Sequence, residues 1–210
     1  MGLFVSVAAM GTALAGCSTG AVGGTATQSA AAVTDSFPVT VKHKFGQTVI
    51  KAAPVRVAAV SWVNADVSLA LGVVPVGMPA DDWGGNSKKS TPWKDAALEK
   101  AGAAIGTAKA PVQYSETDGI NFTEVAKTSP DIILAAYSGL TQEDYDKLSK
   151  IAPVIAYPES PYGTSWQDST TMIGAALGRS VAAKELISAT DKTIAEKAAK
   201  YPKLLGKSFI

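Results

Sequence analysis

Four short apolar runs, each followed by a turn and a helical pattern, constrain this chain more than any other feature. They are VRVAAVS (Val55–Ser61), VVPVGM (Val73–Met78), DIILAA (Asp131–Ala136) and VIAY (Val154–Tyr157). Runs this continuously apolar have no face to offer to water. They form the strands of a parallel sheet whose two faces are both covered by helices. The intervening segments read as those helices. Asn64–Leu71 is closed by Gly72, and a polar loop, ADDWGGNSKKSTPW, leads to a helix near Lys94–Lys100. Asn121–Thr128 is stopped by Pro130. Thr141–Ser149 begins with Thr141 as cap and carries Glu143 and Asp144 in its first turn, where acidic groups suit the helix dipole. Ser165–Leu177 is ended by Gly178. A further short strand is expected at Ala103–Ile105, and a small hairpin, VTVKHKF and TVIK, turning around Gly46–Gln47, precedes the sheet. With 47% hydrophobic residues the chain can bury a sizeable core. The fold class is α/β: a three-layer lobe with a parallel sheet over residues 37–180.

The two ends of the chain differ from this middle. From Val181 to about Lys200 one long helical pattern runs, with Leu186, Ile187, Ile194 and Ala198 on one stripe and Lys and Glu on the other face. Twenty helical residues span about 30 Å, enough to cross a domain. Pro202, Gly206 and Lys207 break the pattern, and SFI reads as the first residues of a new strand, so residues 202–210 are expected to begin a second α/β lobe. At the other end, MGLFVSVAAMGTALAG is shorter than the ~20 residues of a membrane-spanning helix. It reads as the apolar core of a secretory signal over residues 1–16, although no Lys or Arg precedes it. LAGC closes it, and Cys17 is the only cysteine of the chain. Small residues directly before a cysteine match the bacterial lipoprotein signal, in which the thiol is acylated; each buried methylene of an acyl chain contributes about 0.8 kcal/mol of membrane affinity. The alternative is a small thiol among alanines. Residues 17–36, rich in Gly, Ala, Ser and Thr, lack the apolar surface to fold and read as a flexible tether.

Several function classes are disfavoured. Nineteen basic and eighteen acidic residues leave a net charge of +1, without the basic surplus of a nucleic-acid binder. One cysteine and one histidine permit neither an internal disulfide nor a multi-thiolate or multi-histidine metal centre. No GxSxG elbow is present, and GTSWQ at Gly163 lacks the second glycine. No phosphate loop or GxGxxG occurs. His43, on the hairpin beside lysines, reads as a solvated strand histidine. Asp81, Asp82 and Glu159 read as solvated loop acids.

Ligands of parallel α/β sheets bind at the carboxyl ends of the strands. There the sequence places Ser61 and Trp62 after the first run and Asp81, Asp82 and Trp83 after the second. Tyr137 and Ser138 follow the third, and Glu159, Tyr162 and Trp166 follow the fourth. Three of the four tryptophans and two of the six tyrosines thus gather at one edge. Flat, rigid, amphipathic side chains with few titratable groups suit a large, partly apolar ligand.

The chain resembles the substrate-binding lipoproteins of iron–siderophore ABC importers, a group with vitamin B12- and haem-binding relatives. The resemblance runs from about Phe37 to Ile210. PVRVAAVSWVNADVSLALGVVPVGMP, DGINFTEVAKTSPDIILAAYSGLTQEDYDKLSKIAPVIAYPE and PYGTSWQDSTTMIGAALGR carry it. The middle segment is similar to the family's G-x-N-x-E-x-I…P-D-L-I signature, and its later part to actinobacterial siderophore binders. The resemblance implies two α/β lobes joined by a long helix, here residues 181–201, with the ligand between them. It implies that a ferric siderophore, gripped through its organic shell, is the ligand, with no cofactor and no protein metal ligands. The implied contacts are Trp62, Trp83, Tyr137, Ser138, Tyr162 and Trp166. It further implies a monomeric receptor, lipid-anchored through Cys17 on the extracytoplasmic face, that serves the permease and ATPase of an importer. The docking glutamate of the family's signature falls at Thr123 here, with Glu124 its neighbour and Glu116 and Asp118 nearby. Haem or cobalamin as ligand, or a secreted hydrolase using Ser61 or Ser138 with His43 as base, are the competing readings.

Overall fold

The computed structural model of the protein describes residue 33, residues 35–204, and residues 206 and 207. Signal, lipobox cysteine Cys17, most of the tether and the terminal SFI lie outside the described residues. Asp35, assigned to the tether from the sequence, already belongs to the folded body. Its amide donates to the Gly178 carbonyl at 3.2 Å, and its carboxylate accepts from the Ser180 hydroxyl.

The hairpin comprises β1 (Val39–His43) and β2 (Gly46–Ile50), antiparallel, with His43 opposite Gly46. The turn is therefore Lys44–Phe45, two residues earlier than expected. Gly46 takes a φ of 118°, open to glycine, which lets the return strand start at once. The sheet follows, and all its pairings are parallel. Its strands are β3 (Val57–Ala59), β4 (Gly77–Pro79), β5 (Val112–Tyr114), β6 (Ile132–Ala135) and β7 (Val154–Ala156), in the order β5-β4-β3-β6-β7. Helices α1 (Asn64–Ala70), α2 (Pro92–Lys100), α3 (Phe122–Lys127), α4 (Gln142–Ser149) and α5 (Trp166–Ala176) alternate with the strands. Then α6 (Ser180–Ala198) runs on and ends before a short 3-10 turn at Pro202–Leu204.

The alternation of side chains along each strand divides the core in two. Val57, Ala59, Ile132, Leu134 and Ile155 face α1, α5 and the hairpin's Val41 and Ile50. Ala58, Val60, Ile133, Ala135, Val154 and Ala156 face Val125 of α3 and Leu148 of α4. All four residues of β6 are fully buried, as the unbroken DIILAA run requires. The α/β class and the three-layer arrangement match the sequence reading. Helix starts also follow it: Thr141 forms a full capping box with Asp144, Asn121 caps α3, and Ser165 caps α5. Gly174 of α5 lets α6 approach closely, because a Cβ there would lie 2.4 Å from that of Ala183.

One strand assignment fails, and one strand is missing from the sequence reading. Ala103–Ile105 is not a strand, and β5 forms at Val112–Tyr114, seven residues beyond it. Val112 is 45% exposed on this sheet-edge strand, so no unbroken apolar run marks it. His43 is also not solvated, being only 7% exposed. Its Nε2 lies 2.9 Å from the Thr48 hydroxyl, which itself donates to the Val154 carbonyl, and the Phe45 amide donates to Nδ1. That pattern uses the neutral ring with its proton on Nε2, and burial holds the imidazole below its ordinary range.

Candidate ligand cleft

In the order β5-β4-β3-β6-β7 the connections leave β3 towards one side and β6 towards the other. The crevice between the carboxyl ends of β3 and β6 is the switch point where such sheets bind ligands. The loop after β3 carries Trp62, 67% exposed, between two residues of left-handed backbone: Ser61 at φ 62° and Val63 at φ 57°. Left-handed geometry costs a non-glycine residue about 1–3 kcal/mol, more for a β-branched one, and persists only where its surroundings impose it. Two side chains impose it here. Glu116, just beyond β5, accepts the Ser61 amide at 2.8 Å. Asn64, fully buried at the start of α1, donates its amide nitrogen to the carbonyls of Val60 (2.8 Å), Trp62 (3.1 Å) and Tyr137 (2.9 Å). Its oxygen accepts the Tyr137 amide at 3.1 Å. One side chain thereby ties the Trp62 loop to the loop after β6.

That second loop presents Tyr137 towards Tyr162, ring centroids 5.7 Å apart at 63°, an edge-to-face pair. Tyr162, itself left-handed at φ 54°, is held by its amide on the Ser138 carbonyl at 2.9 Å. Gly139 makes the arrangement sterically possible: a Cβ there would meet the Tyr162 ring at 2.4 Å. Ser138 does not present a donor to the cleft. It is fully buried and its hydroxyl donates to the Ala135 carbonyl at 2.7 Å, so it shapes the loop instead. Trp166 opens α5 and remains partly exposed.

On the other side of Trp62 lies a concavity of about 170 Å³. Trp62 and Trp83 line it, with Asp81, Asp82, Lys94 and Glu116. Lys94 is nearly buried and binds both oxygens of Asp81, at 2.9 and 3.0 Å, with Asp66 at 3.4 Å. Lys89 pairs with Asp82 at 2.9 Å. Asp81 and Asp82 are therefore ion-paired, not simply solvated. The Lys89 and Ser115 hydrogen bonds hold the Asp82 carboxyl below its ordinary range. Glu116 is the exception. Burial raises its carboxyl to about 7, and its Oε1 is buried without a hydrogen-bond partner. It therefore faces the cleft and is not a free surface carboxylate for docking. Glu124, on α3, is half-buried and pairs with Lys127 at 2.6 Å.

Trp62, Trp83, Tyr137, Tyr162 and Trp166 all lie beyond the carboxyl ends of the strands, the edge at which the sequence reading places them. That reading missed Asn64 and the place of Glu116. The position of Asn64, directly after the strand-end tryptophan loop and at a helix start, was the available signal. Among the described residues no group of His, Cys, Asp and Glu is placed to hold a metal ion, and no helix is long and apolar enough to cross a membrane.

Fold and site together define a parallel-sheet α/β lobe with aromatic side chains at its switch point and its sole histidine locked into a hairpin bond. The family model described as periplasmic binding protein matches residues 57–209, and the chain belongs to that family. A probable siderophore-binding lipoprotein, YfiY of Bacillus subtilis, is 30% identical over 168 residues, 78% of this chain and 46% of that protein. The structure of PiaA from Streptococcus pneumoniae in complex with ferrichrome is 39% identical with a TM-score of 0.71, covering 79% of this chain and 53% of that one. A periplasmic solute binding protein from Mycobacterium smegmatis is 34% identical with a TM-score of 0.69, covering 80% and 56%. The chain spans about half the length of the curated relatives it matches. These relatives are named as binding proteins, and none of them as a hydrolase.

Proposed function

We propose that the chain forms the N-terminal ligand-binding half of an extracytoplasmic, lipid-anchored receptor that captures a ferric siderophore and delivers it to an ABC importer. The observation that carries this is the aromatic rim at the switch point, in a chain similar to a protein solved with ferrichrome. Trp62, Trp83, Tyr137, Tyr162 and Trp166 supply flat faces for the organic shell of the chelate. Iron stays with its chelator as cargo. Cys17 carries the acyl anchor that keeps the receptor at the membrane, and Glu124 contributes to docking on the permease, at the cost of its Lys127 pair.

Tryptophan fluorescence titration with a panel of ferric siderophores, haem and cobalamin tests this reading. A ferric siderophore is expected to quench strongly and saturably, because two of the four tryptophans line the cleft concavity. A flat response to every ferric siderophore overturns the proposal, and preferential quenching by haem or cobalamin transfers it to those ligands.

A further inference from the structure

The concavity between Trp62 and Trp83 has a charge balance that the aromatic-rim reading leaves unused. Its acids and their immediate partners are Asp66, Asp81, Asp82 and Glu116; its bases are Lys94 and Lys89. Both bases are already engaged, Lys94 by Asp81 and Asp66, Lys89 by Asp82. With Glu116 ionised, two negative charges are left over. Glu116 forms no ion pair among the described residues, and one of its oxygens is buried without a protein hydrogen-bond donor. A carboxylate shielded from water projects a field that solvent screens little. Two largely exposed indole rings, Trp62 and Trp83, line the same space and present faces that favour cations.

We infer that this concavity is a cation subsite, taking a positively charged ammonium arm of the ligand between the two tryptophans and over Glu116. The identity of that arm as part of a siderophore rests on the function proposed above; the cation preference itself does not. A neutral or anionic arm would leave Glu116 uncompensated. Ionisation of Glu116, opposed by its burial, is favoured once the ammonium arrives, so binding at neutral pH releases a proton.

Two probe pairs test the inference at pH 8, where Glu116 is ionised. Ferrioxamine B carries a free ammonium and its N-acetyl derivative does not, while the iron chelate is the same. The ammonium form is expected to bind about tenfold more tightly, with the preference shrinking as salt is added. In Glu116→Gln the preference for the ammonium form over the acetylated form disappears. Choline and its uncharged isostere 3,3-dimethylbutan-1-ol are followed by the indole signals of Trp62 and Trp83 in NMR spectra, with no siderophore present. Choline is expected to shift both, and the alcohol neither. Equal responses to choline and the alcohol overturn the subsite even if both siderophores bind. A choline response that survives in Glu116→Gln overturns it too. Failure of both ferrioxamines beside an intact, Glu116-dependent choline response supports the subsite, and the panel titration above then decides the siderophore reading separately.

Discussion

Asn64→Ala is the sharpest test of how the cleft is held. The side chain is fully buried and makes four hydrogen bonds across two loops. The Trp62 carbonyl retains the Asn64 backbone amide at 2.8 Å, so it is not orphaned. The carbonyls of Val60 and Tyr137 and the amide of Tyr137 lose the partner that Asn64 supplies. An unpaired buried group costs about 1–3 kcal/mol, and carbonyls tolerate the loss better than amides. A total of about 3–4 kcal/mol is expected, a large share of the 5–15 kcal/mol that holds a typical domain. Urea unfolding followed by circular dichroism measures it as a lower midpoint at unchanged slope. The same variant frees the Trp62 loop, so ligand affinity falls in excess of any effect on the folded fraction. A loss below about 0.5 kcal/mol, within the range of ordinary surface substitutions, together with unaltered ligand affinity would refute the role assigned to Asn64.

Three further outcomes are expected. Glu116 has a folded-state pKa raised from 4.5 to about 7; the stability it contributes is full below about pH 4.5 and is lost as pH rises through 7. That amounts to about 3 kcal/mol, so thermal melts at pH 5 and pH 8 should show in the parent protein a decline that Glu116→Gln lacks. Gly139→Ala displaces the Tyr162 ring and costs about 1–3 kcal/mol as overpacking, visible as a lower melting temperature and weaker ligand quenching; an unchanged melt and affinity would contradict the close contact. Ile133→Ala, in the centre of the sheet, costs about 2–5 kcal/mol by cavity formation, measurable by urea unfolding, and should leave cleft selectivity intact.

What could be read from residues and what could not divide along physical lines. β6 and β7 were legible because DIILAA and VIAY are buried on both faces, which leaves an unbroken apolar run. Helix starts were legible because Thr141, Asn121 and Ser165 cap through their own side chains. β5 was not legible: an edge strand of three residues with an exposed Val112 carries no such run, and tertiary pairing with β4 alone makes it a strand. Missing β5 hid the place of Glu116, which follows that strand and so reaches the β3 loop. The aromatic rim followed from strand ends alone, whereas the burial of Ser138 and the pairing of Asp81 and Asp82 depend on contacts across the fold. His43 misled for the same reason. Its lysine neighbours suggest water, but Thr48 and the rings of Phe45 and Tyr145 enclose it.

The position of the bound chelate can be measured directly. High-spin ferric iron broadens nearby NMR signals, and gallium in the same siderophore does not. Amide spectra of the protein with the ferric and the gallium forms of one hydroxamate siderophore therefore map the chelate directly. Iron-specific broadening is predicted around Ser61–Val63, Asp82–Gly84, Tyr137–Gly139 and Tyr162. Broadening centred instead on the opposite sheet edge, at Arg56 and Asp131, or no iron-specific broadening at all, would contradict the placement of the cleft.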